Sequence, residues 1–436
     1  MHRSPALTTP FGRALRNMGW LLTGKGVGAA LSIVYLALAT RTLGIAGFGH
    51  FSLVLGIGQA AAALVTFGTW QIVVRFGMAP LQAGDTPALK RVVRFCLALD
   101  WGAALVGCVL ATAAILAVRT RFGWSPEVAM QAIAFCLVLL LTVRSTAVGV
   151  LRLHDHFRLG AACDAVTPVV RFLGAIVAVW QGAGVAGFLL AWAVAEVATV
   201  IAYWSTAQRI LPGALGIRGA AHARREQPGI GRFAWQTNVT STLNASGRQF
   251  ALVLVGLLTG AAAAGGYRLA HQLAQSLVRV AEMFARGVFP EIARAHAGAA
   301  AGDLASLRRR SLRLALAAGG ATCIAVPLLG RPALALIAGP EWLAAYPLLV
   351  LLGIAAGLDI VAAGYEPVLL GTGHAGPVLR IRALAAAVLF AGMVPLTLWL
   401  GAEGAGVAVL VATALTLALL ARASARAVRV GGVVAD

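Results

Sequence analysis

Twelve long apolar stretches, separated by short polar connections, run through the chain. They cover residues 17–40, 46–70, 95–118, 126–151, 161–180, 183–204, 233–258, 264–289, 312–330, 346–365, 383–400 and 402–421. A membrane-spanning helix needs about 20 consecutive apolar residues. The stretches are too long, and alternate too little, for the strands of a barrel. The pattern therefore predicts an all-α polytopic membrane protein with about 12 transmembrane helices.

The positions of the basic residues orient these spans. Of the 35 Lys and Arg residues, 25 fall in alternate connections and the two termini, and four fall in the connections on the opposite side. Cytoplasmic loops carry the excess of Lys and Arg, so we expect both termini in the cytoplasm. The basic N-terminal segment leads into a full-length span, so we expect no cleavable signal peptide. Orientation also accounts for the net charge of +20, and we expect no nucleic-acid partner.

A repeated spacing indicates that the chain is duplicated. Two sets of two glycines and an aromatic residue, 216 residues apart, follow the first and seventh spans: Gly44, Gly49 and Phe51, and Gly260, Gly265 and Tyr267. An even number of spans in each half gives both halves the same orientation. We therefore predict two six-helix lobes, at residues 1–206 and 233–436, related by a pseudo-two-fold axis along the membrane normal. Residues 207–232 form a basic cytoplasmic connection between them.

Six cations lie inside the spans: Lys25, Arg144, Arg171, Arg248, Arg268 and Arg279. Each costs roughly 2.5–3.5 kcal/mol at a helix centre unless it has a partner. One interpretation is pairing with acids inside the spans, for which the candidates are Asp100, Asp164, Glu196, Glu282, Asp359 and Glu366. The other is that surplus cations attract an anionic ligand, to whose phosphate an arginine fork is well suited.

Helical spacing places several of these residues on polar stripes. In the seventh span Ser241, Asn244 and Arg248 share one face, with Thr237 one turn earlier. In the eighth span a stripe runs the length of the helix and includes Arg268, His271, Gln272, Gln275, Arg279 and Glu282. A stripe of this length cannot face lipid. It must face protein or water.

Two runs resemble a known family: Leu38 to Gln59 and Ser246 to Leu273. They are similar to the polysaccharide-transporter, or lipid-linked oligosaccharide flippase, branch of the multidrug/oligosaccharidyl-lipid/polysaccharide exporter superfamily. The resemblance implies two lobes in a V, a central cavity lined by the first, second, seventh and eighth spans, and alternating access. Many relatives have an acid before the seventh-span arginine, where this chain has Gly247, so an acid–arginine pair at that place is in doubt.

The resemblance also implies a substrate, an undecaprenyl-pyrophosphate-linked oligosaccharide of the O-antigen type, carried to the outer leaflet of a bacterial inner membrane. The pyrophosphate would bind Lys25, Arg248, Arg268 and Arg279. The sugar would meet Ser241, Asn244, His271, Gln272 and Gln275. Candidates for proton coupling are Asp100, Asp164 and Glu196. We expect a monomer in the lipid bilayer, working beside a polysaccharide polymerase and glycosyltransferases of the same pathway.

Two other functions stay open. A cation-coupled multidrug antiporter of the same superfamily would need an acid-rich cavity, whereas the first span carries no acid. A membrane-embedded glycosyltransferase or ligase would need catalytic residues in long outer loops, and these loops are short. We expect no enzyme activity, no metal and no cofactor. The run Gly371 to Gly376 matches a nucleotide-binding pattern, but Pro377 follows it directly and no acid stands about 20 residues on.

Overall fold

The computed structural model describes residues 10–216, 218–276, 304–365, 369 and 375–432. Within these ranges it describes the side chains except those of residues 10–27, 240, 241, 243–248, 304–311, 375 and 427–432. All regular secondary structure in the described part of the chain is helical. The helices are α1 (Pro10–Val65), α2 (Thr69–Gln82), α3 (Thr86–Val118), α4 (Pro126–Leu141), α5 (Ser145–Leu153), α6 (Phe157–Trp180), α7 (Gly184–Ile210), α8 (Ala220–Glu226), α9 (Ile230–Thr259), α10 (261–276), α11 (Leu304–Ile337), a 3₁₀ helix (Pro340–Ala345), α12 (Tyr346–Ala363), α13 (Ala375–Leu400) and α14 (Ala402–Gly432).

Every predicted span coincides with one or two of these helices, so the predicted fold class is confirmed. The first two spans both lie in α1, which changes direction at Gly44 (φ 61°, ψ −173°). The second span continues into α2, and the fourth is divided between α4 and α5. The eighth is described only as far as residue 276. Among the described residues, nine helical segments are long and apolar enough to cross a membrane.

Local sequence explains where the helices begin. The Asp85 side chain accepts a hydrogen bond from the Ala88 amide at 2.9 Å at the start of α3. The Ser125 hydroxyl accepts one from the Val128 amide at 3.3 Å at the start of α4. Both helices have a proline at their first or second position, where its missing N–H costs nothing. These caps fix where the two helices begin.

The turns of the two halves repeat, as the duplicated spacing predicts. Three pairs of glycines with positive φ stand at equivalent turns: Gly44 and Gly260, Gly123 and Gly339, and Gly182 and Gly401. The first two pairs are each separated by 216 residues and the third by 219. Trp180 and Trp399, two residues before the third pair, are 85% and 81% exposed. The same separation and the same exposure fit two tryptophans at the membrane–water border.

The chain forms two compact units, residues 1–250 and 251–436. In the first, apolar side chains of α2, α3, α5, α7 and the start of α9 form a buried cluster that includes Ile72, Leu89, Val150 and Ile230. The segment before and through α8 packs on α3. There Arg91 pairs with Glu226 at 2.8 Å. The contacts group residues 207–232 and the first part of α9 with the first unit. The lobe boundaries at residues 206 and 232 stay a prediction.

The second unit contains α10 to α14. Its helices α11 and α12 approach closely because glycines face each other: a Cβ on Gly319 would lie 2.5 Å from the carbonyl oxygen of Gly357. Small residues at helix crossings are typical of membrane helix pairs, in which packing replaces the hydrophobic effect.

Candidate functional site

Of the four cations assigned to the pyrophosphate, only Arg268 has a described side chain. Lys25 lies in α1 and Arg248 in α9, and their side chains lie outside the description, as do the side chains of Ser241 and Asn244. Arg279 lies outside the described residues. Arg268 is half-buried in α10. The assignment of these residues to a single anion site therefore stays a prediction.

The eighth-span stripe begins as predicted, on the continuous helix α10. His271, Gln272 and Gln275 are half-buried on it. The buried Tyr267 ring stacks on the His271 imidazole, with the centroids 6.3 Å apart and the planes at 18°. This contact fixes the ring of His271 against its own helix.

Two of the span cations share one carboxylate in the first unit. Glu196 of α7 is 7% exposed. Its Oε1 lies 3.2 Å from Nη2 of Arg171, and its Oε2 lies 2.5 Å from Nη1 of Arg144. The Arg171 guanidinium carbon also lies 3.4 Å from the centroid of the Trp192 ring. For Arg144 and Arg171, the pairing interpretation is therefore correct, and the cluster keeps one positive charge when Glu196 is ionised.

This ion cluster is one end of a polar seam between α6 and α7. Thr167 and Thr199 hydroxyls lie 2.6 Å apart. The Tyr203 hydroxyl donates to Asp164 at 2.6 Å. As far as Asp164 and Tyr203, each step along the seam is three or four residues on both helices, so one face of each helix supplies this part. The seam ends where the Cys163 thiol meets the Thr206 hydroxyl at 3.7 Å.

Asp100 occupies a different environment. It is 6% exposed in α3 and accepts hydrogen bonds from three groups. The Thr69 hydroxyl lies 2.9 Å from its Oδ1, and the Thr146 hydroxyl and amide lie 2.6 and 3.2 Å from its Oδ2. Thr69 begins α2, and Thr146 is the second residue of α5. The carboxylate thus lies at the N-termini of two half-helices, where a negative charge is stabilised.

Sequence reasoning did not predict the interruptions of the second and fourth spans that create these N-termini. The signals were a glycine or arginine followed by hydroxyl-bearing or polar residues within an apolar run, at Gly68-Thr69 and at Arg144-Ser145. Interrupted apolar segments in membrane transporters mark functional sites. Sequence reasoning also missed Tyr203, the partner of Asp164.

The other described acids inside the spans have partners of different kinds. Asp100 and Asp164 bond hydroxyl groups. Asp359 pairs with Arg382, a residue of the basic connection before the eleventh span, at 3.4 Å, and both side chains are exposed. Glu282 and Glu366 lie outside the described residues. Among the residues that the structure describes, no group of three or more His, Cys, Asp or Glu side chains forms a metal-binding cluster.

The sequence matches a known family model, which defines the class of protein. The family model described as polysaccharide biosynthesis protein matches residues 14–296, more than half of the chain. The chain belongs to this family.

Individual proteins are also similar to this chain. The inner membrane protein YghQ of Escherichia coli (strain K12) is 28% identical over 344 residues, which are 78% of this chain and 96% of YghQ. The lipid II flippase MurJ in an inward closed conformation aligns with a TM-score of 0.66 and 10% identity over 92% of this chain and 86% of its own. An inward-facing multidrug resistance MATE transporter of the MOP superfamily aligns with a TM-score of 0.64 and 14% identity over 92% of this chain and 95% of its own. These two likenesses show a shared fold.

Proposed function

We propose that the chain is a flippase that moves an undecaprenyl-pyrophosphate-linked oligosaccharide from the cytoplasmic to the outer leaflet of the inner membrane. The observation that carries the proposal is membership of the polysaccharide biosynthesis family. The fold shared with a lipid II flippase supports transport rather than catalysis. The name of the E. coli relative supports the inner membrane as the location.

The charges of the chain support an anionic cargo. The Arg144, Arg171 and Glu196 cluster has two cations for one carboxylate. Asp100 and Asp164 bond hydroxyl groups instead of cations. A surplus of positive charge beside low-dielectric walls attracts anions. An organic-cation antiporter would need an acid-rich cavity, and among the described residues no three His, Cys, Asp or Glu side chains form a group.

In this proposal Lys25, Arg248, Arg268 and Arg279 bind the pyrophosphate. Ser241, Asn244, His271, Gln272 and Gln275 meet sugar hydroxyls. Arginine binds phosphate through two parallel N–H groups, and charge-assisted bonds of this kind are short and strong. The polyprenyl chain stays in the lipid. Asp100, Asp164 and Glu196 are the acids through which protons would be coupled to transport, and both termini face the cytoplasm.

The test is transport by purified protein in vesicles that contain an undecaprenyl-pyrophosphate-linked oligosaccharide. Arg248→Ala and Arg279→Ala should each lower the rate at which the glycan becomes accessible to an external glycosidase by about 10-fold or more, since a hydrogen bond to a charged group contributes about 1.5–3 kcal/mol. Arg331→Ala is the matched control, because Arg331 is an exposed arginine outside the stripes.

Normal transport by both variants, at normal protein levels, would refute the assignment of the site. Two further measurements separate the other functions. Export of a cationic dye driven by a proton or sodium gradient would favour the antiporter, and formation of a new glycosidic bond in the vesicles would favour a glycosyltransferase or ligase.

A further inference from the structure

The second span is interrupted near its C-terminal end. Helix α1 ends at Val65 and α2 begins at Thr69, inside the predicted span of residues 46–70 and within the segment Gly28–Gln82, which contains a window apolar enough to cross a membrane. An interruption inside a membrane frees carbonyl and N–H groups, which must find partners in protein or water. The partners of the freed groups therefore decide whether the interruption is rigid.

On one side of the interruption, α2 is bound firmly to α5 and α3. Thr69 donates to Asp100. The Trp70 amide donates to the Ser145 hydroxyl at 3.3 Å. Gly149 of α5 lies so close that a Cβ there would be 2.9 Å from Cα of Trp70. These contacts make α2 and α5 one rigid piece.

On the other side, the partners come from the start of α9. The Asn238 side-chain amide donates to the Thr66 carbonyl oxygen at 3.1 Å. The Thr242 hydroxyl donates to the Leu64 carbonyl oxygen at 3.4 Å. Asn238 is only 8% exposed. The carbonyl groups of Leu64 in α1 and of Thr66 in the interruption therefore accept hydrogen bonds from a helix that lies more than 160 residues further along the chain.

The same part of α9 also contacts α2. The Phe233 ring lies 5.8 Å from the Phe76 ring, and the Arg75 guanidinium carbon lies 4.4 Å from the centroid of Phe233. Phe233 is five residues before Asn238, so α9 runs across the interruption and holds both of its sides. Residues 233–242 of α9 therefore contact both sides of the interruption.

We propose that residues 230–242 of α9 are a splint across a hinge in the second span. The hinge bends only when Asn238 and Thr242 leave the carbonyl oxygens of Thr66 and Leu64, and when water or another donor replaces them. Because α9 is the first spanning helix of the second half of the chain, bending of the second span and movement of α9 are linked. The inference goes beyond the proposed function and does not depend on the identity of the cargo.

The experiment measures the bend directly. Spin labels are attached at Ala46→Cys on α1 and Met78→Cys on α2, two exposed positions on either side of the hinge. The five native cysteines are first replaced by alanine. Double electron–electron resonance in lipid nanodiscs then gives the distribution of distances between the labels.

The test variant is Asn238→Leu with Thr242→Val, which keeps the number and branching of the side-chain heavy atoms and removes both donors. We expect one main distance in the parent protein and, in the variant, a second, shorter distance whose population is several-fold higher than in the parent. Thr259→Val is the matched control, because the Thr259 hydroxyl bonds only the Val255 carbonyl of its own helix. A variant distribution identical to that of the parent would overturn the proposal.

A disulfide crosslink between the interruption and α9 tests the same hinge. Thr66→Cys and Asn238→Cys, joined by a disulfide, should leave a single distance under all conditions, including after addition of undecaprenyl pyrophosphate. The control disulfide joins Thr167→Cys and Thr199→Cys on α6 and α7, and it should leave the distribution of the parent unchanged. A second distance that persists in the Thr66–Asn238 crosslinked protein would overturn the proposal. Failure of the flippase assignment would leave both measurements interpretable, because neither measures transport.

Discussion

Removal of the Glu196 carboxylate tests whether the ion cluster is a structural partner for the span cations. Glu196→Ala leaves Arg171, whose side chain is 16% exposed, without its counter-charge. Breaking a buried ion pair from one side costs about 3–5 kcal/mol. Arg144 is 38% exposed, so its share falls in the range of about 0–1 kcal/mol for solvent-exposed pairs. In the variant the face of Trp192 still attracts the Arg171 guanidinium. We therefore expect Glu196→Ala to lower the free energy of unfolding by about 3 kcal/mol, near the lower end of the range for a buried pair.

A thiol-reactive fluorogenic maleimide measures this loss in detergent-solubilised protein. Cys96 and Cys136 are 0% and 1% exposed and react only when the first unit unfolds. A loss of about 3 kcal/mol in a unit of this size lowers the Tm by roughly 6–12 °C. The exposed pair of Arg91 and Glu226 provides the control, and Glu226→Ala should change stability by less than about 1 kcal/mol.

A double-mutant cycle separates the interaction energy between Arg171 and Glu196 from the other effects of each substitution. Arg171→Ala with Glu196→Ala removes both buried charges, so its cost should be smaller than the sum of the two single costs by about 2 kcal/mol or more. The reasoning fails if Glu196→Ala melts within about 2 °C of the parent. It fails equally if the costs of the two substitutions add.

Two glycine substitutions give further predictions. Gly44→Ala should lower the free energy of unfolding by about 1–3 kcal/mol, since a φ of 61° with a ψ of −173° is nearly confined to glycine. Gly102→Ala should raise the free energy of unfolding by up to about 1 kcal/mol, because Gly102 lies in a helix with open space beside it. Thermal midpoints compare the two, and equal effects would contradict the backbone argument. Gly149→Ala should force α2 away from α5, because its Cβ would lie 2.9 Å from Cα of Trp70 and 2.7 Å from Cβ of Val73. Hydrogen exchange should then become faster at the Trp70 amide. Unchanged exchange there would show that α2 and α5 can accept the extra methyl group without moving apart.

The helical architecture could be predicted from the sequence because the bilayer leaves few alternatives. A segment that crosses hydrocarbon must satisfy its own backbone, so length and apolar composition predict a helix. The third span, predicted for residues 95–118, ends where α3 ends at Val118. The duplicated glycines were also correctly identified: Gly44 and Gly260 both have positive φ.

The partners of the polar groups could not be predicted in the same way. Glu196 lies 25 residues from Arg171 and 52 from Arg144, and several other acids stood at comparable distances along the chain. Only the packing of α7 against α6 and the end of α4 selects that carboxylate. For the same reason, composition gave no indication that Tyr203 would bond Asp164.

The number, position and helical nature of the spans are properties of the sequence by itself, because each depends on the transfer of one continuous segment into an apolar medium. The interruptions at residues 66–68 and 142–144, and the residues that satisfy them, are decided by tertiary structure. A broken helix is stable in a membrane only when neighbouring helices supply donors and acceptors, as Asp100 and Asn238 do here. Those neighbours are distant along the chain, and only folding brings them to the break.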